Sequence, residues 1–290
     1  MRTIHTSLST LLVIGALGCG GGTAPTTGTE TTTGAETTGA ASSDIEARIR
    51  EVLAMPHRDE DRPRDQYRHP AETLAFFGLR PDMNVVELAP GRGWYTRVLG
   101  PVLREQGSLT VATSDPASPI EYRANSARAM IEMLPQQRDV LGDVNVTVLD
   151  TPSRIELGPD GSADLVLTFR NFHGWMGDNS ERAVLDAAFR VLRPGGVLGI
   201  VEHRARPGTD RETTARTGYV PEQVVIDTAV AAGFRLDGRS EVNANPNDTT
   251  DHPEGVWSLP PSLRGGDVDR ERFVAIGESD RMTLRFVKPE

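Results

Sequence analysis

The chain has 290 residues, of which 37% are hydrophobic, and its 41 acidic against 31 basic side chains give a formal net charge of −10. This length exceeds that of one usual domain. The negative balance argues against a nucleic-acid partner, because phosphate binding depends on clustered Lys and Arg.

Residues 1–19 have the pattern of a bacterial export signal peptide. A positively charged start precedes the apolar run LLVIGALG, which is too short to span a bilayer. Ala16, Leu17 and Gly18 then resemble a lipobox before Cys19, although leucine is commoner than alanine at the first of these positions. The resemblance implies that Cys19 is lipidated and that the chain is an exported lipoprotein, anchored to a membrane in the periplasm or at the cell surface. A plain cleavable signal or a membrane-retained one is the alternative.

Residues 20–43 are rich in Gly and Thr and contain no aliphatic side chain larger than alanine. Such a segment cannot bury a core, so the sequence predicts a disordered tether. The flexible-chain rule of roughly 5 to 6 Å times √n places the folded part about 25 to 30 Å from its anchor. Cys19 is the only cysteine of the chain, so no disulfide is expected.

From residue 44 onward, helical and strand patterns alternate along the sequence. The predicted helices cover 44–55, 70–79, 94–105, part of 121–141, 180–192 and 221–233. The predicted strands cover 85–89, 108–113, 144–149, 163–169, 195–203, 234–242 and 281–287. This alternation requires crossovers on both faces of a sheet, and ligands then bind at the carboxyl ends of its strands. The sequence predicts a doubly wound α/β fold with a mostly parallel, seven-stranded sheet.

The run NVVELAPGRG at 84–93 predicts a strand that ends near the acid Glu87 and turns into a helix through a loop of small residues, namely Ala89, Gly91 and Gly93. Small residues let a ligand contact the backbone amides and the helix N-terminus. A dinucleotide fingerprint would need glycine or alanine where Thr96 stands. The run instead resembles motif I of class I S-adenosylmethionine-dependent methyltransferases, E/D-x-G-x-G-x-G, with Ala89 at the first glycine. An ordinary turn without a ligand is the alternative.

The resemblance to this family covers residues 68–287. It includes the run LAFFGLRPDMN before motif I and the L-x-P-G-G turn before GGVLGIVEH, and the end of the chain is similar to a subgroup of exported or uncharacterised methyltransferases. It implies that 44–290 is a Rossmann-like methyltransferase domain that uses S-adenosylmethionine on an unidentified small or surface-presented acceptor. Because this cofactor is made in the cytoplasm, a non-catalytic ligand-binding or partner-binding lipoprotein on the same fold is the alternative.

The family pattern also implies which residues bind the cofactor. It places Glu87 near the methionine amino group and the three small loop residues under the carboxylate and ribose. A carboxylate favours an ammonium group, and backbone amides favour an anion.

The family has a ribose-binding acid at the end of its second strand, where this sequence has Thr113, and Asp115 follows two residues later. Either Asp115 takes the role, or a hydroxyl holds the ribose, or cofactor binding has decayed. Asp150 occupies the position of the acid beside the adenine, with an Asx turn before Pro152 as the alternative.

The segment TFRNFHGW, residues 168–175, follows the fourth predicted strand, where the family places the transferred methyl group. Asn171 and His173 are the predicted catalytic residues. They lie between aromatic residues that would shield a sulfonium, and His173 is suited to remove a proton from an attacking oxygen or nitrogen. The alternative is a packed lid in which His173 caps a backbone group. Methyl transfer itself depends mainly on in-line positioning of donor and acceptor.

The six histidines contain no pair with H-x-x-x-H or H-x-H spacing, so no metal site is predicted. A site assembled by the fold from His173, Glu202 or His203 and a distant Asp is the alternative. The charged run RDEDRPRDQYR at 58–68 predicts a solvated surface segment, with a role in gripping an anionic substrate as the alternative. G-x-S-x-G and P-loop motifs are missing, which argues against hydrolase and NTPase functions.

Overall fold

The computed structural model describes residues 44–290. The predicted signal peptide, the lipidation of Cys19 and the tether at 20–43 therefore lie outside the described residues, and these predictions stay untested. Within 44–290, no helix is both long and apolar enough to cross a membrane.

An eight-stranded sheet forms the centre of this domain. Its strands are β1 (Asn84–Leu88), β2 (Ser108–Thr113), β3 (Val144–Asp150), β4 (Arg154–Ile155), β5 (Ala163–Phe169), β6 (Leu192–His203), β7 (Arg235–Ser240) and β8 (Arg281–Val287). Their order in the sheet is β4-β3-β2-β1-β5-β6-β8-β7. The five strands from β3 to β6 are parallel, whereas β8 is antiparallel to β6 and β7.

The prediction of a doubly wound, mostly parallel α/β sheet is confirmed, but the predicted count of seven strands is wrong by one. The additional strand is β4, in which Ile155 and Arg154 pair antiparallel with the end of β3. It has only two residues. A strand of that length has no alternating pattern that a sequence could show.

Helices cover both faces of the sheet. In chain order they are α1 (44–53), α2 (Asp65–Arg68), α3 (Pro70–Phe76), α4 (Thr96–Leu103), α5 (Glu121–Gln136), α6 (Arg138–Leu141), α7 (Phe172–Gly177), α8 (Glu181–Val191), α9 (Arg211–Thr217), α10 (Glu222–Ala231) and α11 (Arg270–Ile276). The sequence predicted no separate helix at α2, α7, α9 or α11, each of which has seven residues or fewer. Such helices are too short to display a 3.6-residue period.

Two hydrophobic cores lie on opposite faces of the sheet. Val86 of β1 belongs to the core that α8 and α10 cover, whereas its neighbour Val85 belongs to the core under α1, α3, α4 and α5. Val166 and Leu167 of β5 divide between the two cores in the same way. Successive side chains of a strand point to opposite faces, so a strand buried on both faces reads as a continuous apolar run.

The strand order changes direction at β1, which has β2 on one side and β5 on the other. The chain winds outward from β1 in both directions, so the connections that leave β1 and β5 separate at their carboxyl ends. A crevice forms at such a switch point, and ligands of open α/β sheets bind there.

Candidate active site

A cleft of about 320 Å³ opens at the carboxyl ends of β1, β2, β3 and β5. Ala89 and Gly91 line it from the loop after β1, Thr113 from the end of β2, and Asn171 and His173 from the segment after β5. This volume is within the range of small-molecule sites. A larger groove of about 820 Å³ lies between the 3-10 turns at 56–64 and α5. We consider the smaller cleft the better candidate because four strand ends converge on it.

The loop after β1 has the conformation that a close ligand requires. Ala89 and Gly91 have φ of +46° and +59°, in the left-handed region that L side chains rarely adopt. A Cβ atom on Gly91 would have no neighbour within 4 Å, so this glycine leaves open space. Gly93 differs, because a Cβ there would lie 2.9 Å from the Cε atom of Met133 and 3.1 Å from that of Met130. The lack of a side chain at Gly93 therefore lets α5 pack closely against the loop, whereas at Gly91 it leaves room for a ligand.

Glu87 lies beneath the surface and not in the lining of the cleft. Its side chain is only 2% exposed and accepts a hydrogen bond of 2.7 Å from the hydroxyl of Thr96. Burial raises the pKa of Glu87 from 4.5 to about 7, against the lowering effect of the Thr96 hydrogen bond. The predicted contact between Glu87 and a cofactor ammonium stays a prediction.

The two other predicted cofactor acids are also engaged elsewhere. Asp115 contacts Arg154 Nη1 at 3.2 Å and accepts a hydrogen bond from the Ala117 backbone. Asp150 is buried and accepts a hydrogen bond of 3.0 Å from the hydroxyl of Ser118. The cleft is lined instead by Thr113, by Ser114 and by the neighbours of Asp150, which are Leu149 and Thr151. Of the three alternatives for the ribose, a hydroxyl contact is the one whose residue lies in the cleft.

Asn171 ties the segment after β5 to the central strand. Its side-chain amide donates hydrogen bonds to the carbonyl of Leu88 at 3.1 Å and to the hydroxyl of Thr168 at 3.0 Å. Both predicted catalytic residues, Asn171 and His173, line the cleft.

The carboxylate of Glu202, at the end of β6, holds His173 in place. It is fully buried and accepts backbone hydrogen bonds from Phe172, His173 and His203, at 2.6, 3.3 and 2.8 Å. Its Oε1 atom also lies 3.1 Å from His173 Nδ1. An ionised carboxylate only accepts, so this contact keeps the proton of neutral His173 on Nδ1 and leaves a lone pair on Nε2. A histidine oriented in this way by a carboxylate is suited to general-base chemistry.

The fold also brings together the three residues of the metal alternative. Ligand atoms of His173, Glu202 and His203 lie within 4.8 Å of one another, and no aspartate joins them among the residues described. The backbone hydrogen bonds and His173 already occupy about four lone-pair sites of Glu202. Burial, His173 and nearby arginines hold the pKa of His203 well below its usual value. A divalent cation would have to displace hydrogen bonds in a positive field, so the geometry favours a histidine–carboxylate pair.

Two residues of the charged run 58–68 are buried, so the prediction of a solvated surface segment is wrong for them. Arg58 is 0% exposed and Arg68 is 2% exposed. Their guanidinium carbons lie 4.3 and 4.4 Å from the centroid of the Trp94 ring, within cation–π distance. Asp61 and Asp65 pair with Arg58, and Glu278 pairs with Arg68 from more than 200 residues away. The sequence showed the local acids but not the distant one.

Arg170 is one of several cleft residues, Arg123 among them, that were not predicted from the sequence. It separates β5 from Asn171, lines the cleft and has a φ of +64°. A cation directly after a buried strand, next to two predicted catalytic residues, was the signal that could have identified it.

No protein-family model and no curated protein matches the sequence. Solved structures do match. An S-adenosylmethionine-dependent methyltransferase from Aquifex aeolicus has a TM-score of 0.51 at 18% identity, over 84% of this chain and 98% of its own. A proposed sarcosine dimethylglycine methyltransferase from Galdieria sulphuraria has a TM-score of 0.53 at 17% identity, over 79% and 86%. The [4+2]-cyclase SpnF has a TM-score of 0.52 at 17% identity, over 77% and 80%.

The chain has a Rossmann-like methyltransferase fold. The identities are too low to transfer an activity, and the cyclase among the neighbours shows that this fold carries more than one function. Function therefore has to be argued from the residues of the cleft.

The buried carboxyl group of Glu87 should make stability depend on pH. A raised pKa means that the folded state binds the proton more tightly than the unfolded chain, so this stabilisation is complete below pH 4.5 and is lost as the pH rises through about 7. Glu87→Gln should have little effect near pH 4 and should raise the free energy of unfolding near pH 8 by up to about 3 kcal/mol, at roughly 1.4 kcal/mol per pKa unit. Urea unfolding at both pH values measures this, with exposed Glu132→Gln as the control. Equal pH dependence of parent and Glu87→Gln would contradict the assignment.

The contact between Glu202 and His173 should fix the tautomer of the histidine ring. Long-range proton–nitrogen NMR correlations of neutral His173 should show the proton on Nδ1 in the parent, and Glu202→Gln should populate the form protonated on Nε2, because a side-chain amide also has a donor. Ser279→Ala is a matched control, since it removes the hydroxyl 2.5 Å from His203 Nδ1 and leaves Glu202 intact. An unchanged His173 tautomer in Glu202→Gln would mean that Glu202 only accepts the backbone hydrogen bonds and does not set the tautomer.

Proposed function

We propose that the chain is an S-adenosylmethionine-dependent methyltransferase that acts on an unidentified small or surface-presented acceptor. One observation carries the proposal. A single cleft at the switch point of the sheet has an open glycine loop, at Gly91, on one side and a carboxylate-oriented histidine, His173, on the other. The first feature suits a nucleoside cofactor, and the second suits an acceptor that must lose a proton.

The loop after β1 and the end of β2 fit the cofactor. A side chain at Gly91 would extend into the open space that we assign to the cofactor. The backbone amides of the same loop suit the anionic and ribose parts of that ligand. Thr113 offers a hydroxyl to the ribose from the end of β2. The cofactor supplies an already activated methyl group on a sulfonium, so the protein has mainly to position the acceptor in line with it.

The residues after β5 have two roles in this proposal. His173 accepts the acceptor's proton at Nε2, while Glu202 keeps the other ring nitrogen protonated and the ring in place. Asn171, anchored to Leu88 and Thr168, positions the acceptor beside the loop after β1. Trp175 and Phe172 are buried and lie edge to face, with ring centroids 6.3 Å apart, which supports the short helix that carries His173.

We also propose that the domain is held at a membrane surface in the periplasm or on the cell exterior by lipidation of Cys19. The support is the sequence pattern of an apolar run, a lipobox-like tripeptide, a single cysteine and a Gly/Thr-rich segment. Several acyl chains anchor a protein firmly, whereas one binds only marginally.

S-adenosylmethionine, or its demethylated product, should bind and NAD should not. A ligand at about 100 times its dissociation constant stabilises the folded state by roughly 2.7 kcal/mol, so the melting temperature should rise with either adenosyl ligand. A melting curve that millimolar S-adenosylmethionine does not move would favour the non-catalytic binding protein over the enzyme.

Gly91→Val should abolish this stabilisation, because the branched side chain would occupy the ligand's space. Gly161→Val is the matched control. Gly161 has a φ of +69° and, like Gly91, would have no neighbour within 4 Å of an added Cβ atom, but it lies between β4 and β5 and away from the cleft. Both variants carry similar backbone strain, of about 1 to 3 kcal/mol. Equal ligand-induced shifts in the two variants would place the binding site elsewhere.

The anchor has its own test. The full chain, expressed in a bacterium, should fractionate with membranes, and Cys19→Ser should move to the soluble fraction because no cysteine remains for lipidation. If both proteins fractionate identically, the lipobox interpretation is wrong and the N-terminal segment is a simple signal or an apolar stretch without this role.

A further inference from the structure

Four arginines gather behind the β5 side of the cleft with too little negative charge to balance them. Glu278 is 2% exposed, contacts Arg64 Nε at 2.5 Å and Arg68 Nε at 3.3 Å, and pairs with Arg281. Among residues 44–290, Glu278 is the only carboxylate within 4.0 Å of these three guanidinium groups. The fourth arginine is Arg170, whose guanidinium makes no hydrogen bond and no ion pair within 4.0 Å with residues 44–290, and which Glu278 attracts only at longer range.

Two buried donor nitrogens in this cluster also have no acceptor among the described residues. Arg68 and Arg281 are each 2% exposed, and the Nη1 atom of the first and the Nε atom of the second make no hydrogen bond with the described residues. A buried guanidinium is stable only when its charge is paired and its donors are satisfied. The cluster therefore has room for one more acceptor of negative charge.

Arg170 is the member of the cluster that reaches the cleft. It lines the cleft together with Asn171 and His173, and its backbone N–H bonds to Val201, which fixes it at the junction of β5 and β6. Burial and Arg281 lower the pKa of Arg170 to about 10, and Glu278 only partly offsets them. The side chain still carries its positive charge at neutral pH, without a protein counter-charge of its own.

We propose that Arg170 is the anchor for a carboxylate of a ligand in the cleft, with Arg68 and Arg281 as the positive charges behind it. This inference rests on the proposed function, because it concerns the same cleft. A planar guanidinium binds a carboxylate through two parallel hydrogen bonds, which also fixes the orientation of the ligand. The carboxylate belongs either to the amino-acid end of the cofactor or to the acceptor, and two measurements separate these sources.

The first measurement compares S-adenosylmethionine with decarboxylated S-adenosylmethionine, which differs only in the carboxylate. If the cofactor supplies the carboxylate, the parent should bind the first about 10- to 100-fold more tightly, which is the range for one hydrogen-bonded charge pair. Arg170→Gln should bind both ligands alike, and Arg170→Lys should recover part of the preference, because lysine keeps the charge but not the fork.

The second measurement tests the acceptor as the source. The parent, with and without S-adenosylhomocysteine, is titrated with acetate and with neutral acetamide at constant ionic strength, and the melting temperature is recorded. If the acceptor supplies the carboxylate, acetate should raise the melting temperature of the parent and not of Arg170→Gln, while acetamide should affect neither. Arg182→Gln, at an exposed position of α8, is the control for loss of one arginine.

A carboxylate preference that disappears in Arg170→Gln, in either measurement, supports the inference and identifies the source. If no preference depends on Arg170 in either measurement, the inference is overturned. If neither adenosyl ligand binds the parent, the proposed function fails, whereas the acetate titration still tests Arg170. Because Arg170→Gln relieves repulsion from Arg281, its melting temperature without ligand should equal or exceed that of the parent.

Discussion

The candidate active site depends on the hydrogen bonds that the buried carboxylate of Glu202 accepts. Glu202 lies at the end of β6, and its hydrogen bonds to the backbones of Phe172 and His173 fix the start of α7 against the neighbouring strand. An ionised group without solvent is stable only when its lone pairs are satisfied, and here three backbone donors and one imidazole satisfy them. The same group that stabilises the turn after β5 therefore sets the position of the His173 ring in the cleft and which of its nitrogens faces a carboxylate.

The sign of the local charge near the cleft is opposite to that of the net charge of the chain. The whole chain carries a net −10, yet the region behind the β5 side of the cleft holds Arg64, Arg68, Arg170 and Arg281 around the single carboxylate of Glu278. This local excess explains two features of the site together. After burial and the neighbouring His173, it helps to hold the pKa of His203 well below its usual value, and it makes a cation beside His203 less favourable than an anion.

Much of the fold could be predicted because the strands are buried on both faces and read as apolar runs. The predicted bounds of 108–113 and 163–169 agree with β2 and β5. The short helix α7 could not be predicted, since its start depends on hydrogen bonds to Glu202, which lies 30 residues away from Phe172. The candidate site shows the same difference between features set by the local sequence and features set by distant contacts. Local patterns predicted Gly91, Asn171 and His173, which the structure places in one cleft, whereas the burial of Arg68 beside Glu278 depends on a contact across 210 residues.

The cleft consists of two halves built by different means. The half of the cleft that follows β1 is formed by a short loop of small residues, so its geometry follows from the local sequence. The half after β5 depends in addition on the long connection between β7 and β8, which does not line the cleft but brings Glu278 to the arginines and places the Trp257 ring 5.9 Å from that of His173. Arg264, from the same connection, packs over the Trp257 ring at 4.7 Å from its centroid. The surroundings of His173 therefore depend on residues from a distant part of the chain, and a likeness of fold does not specify them.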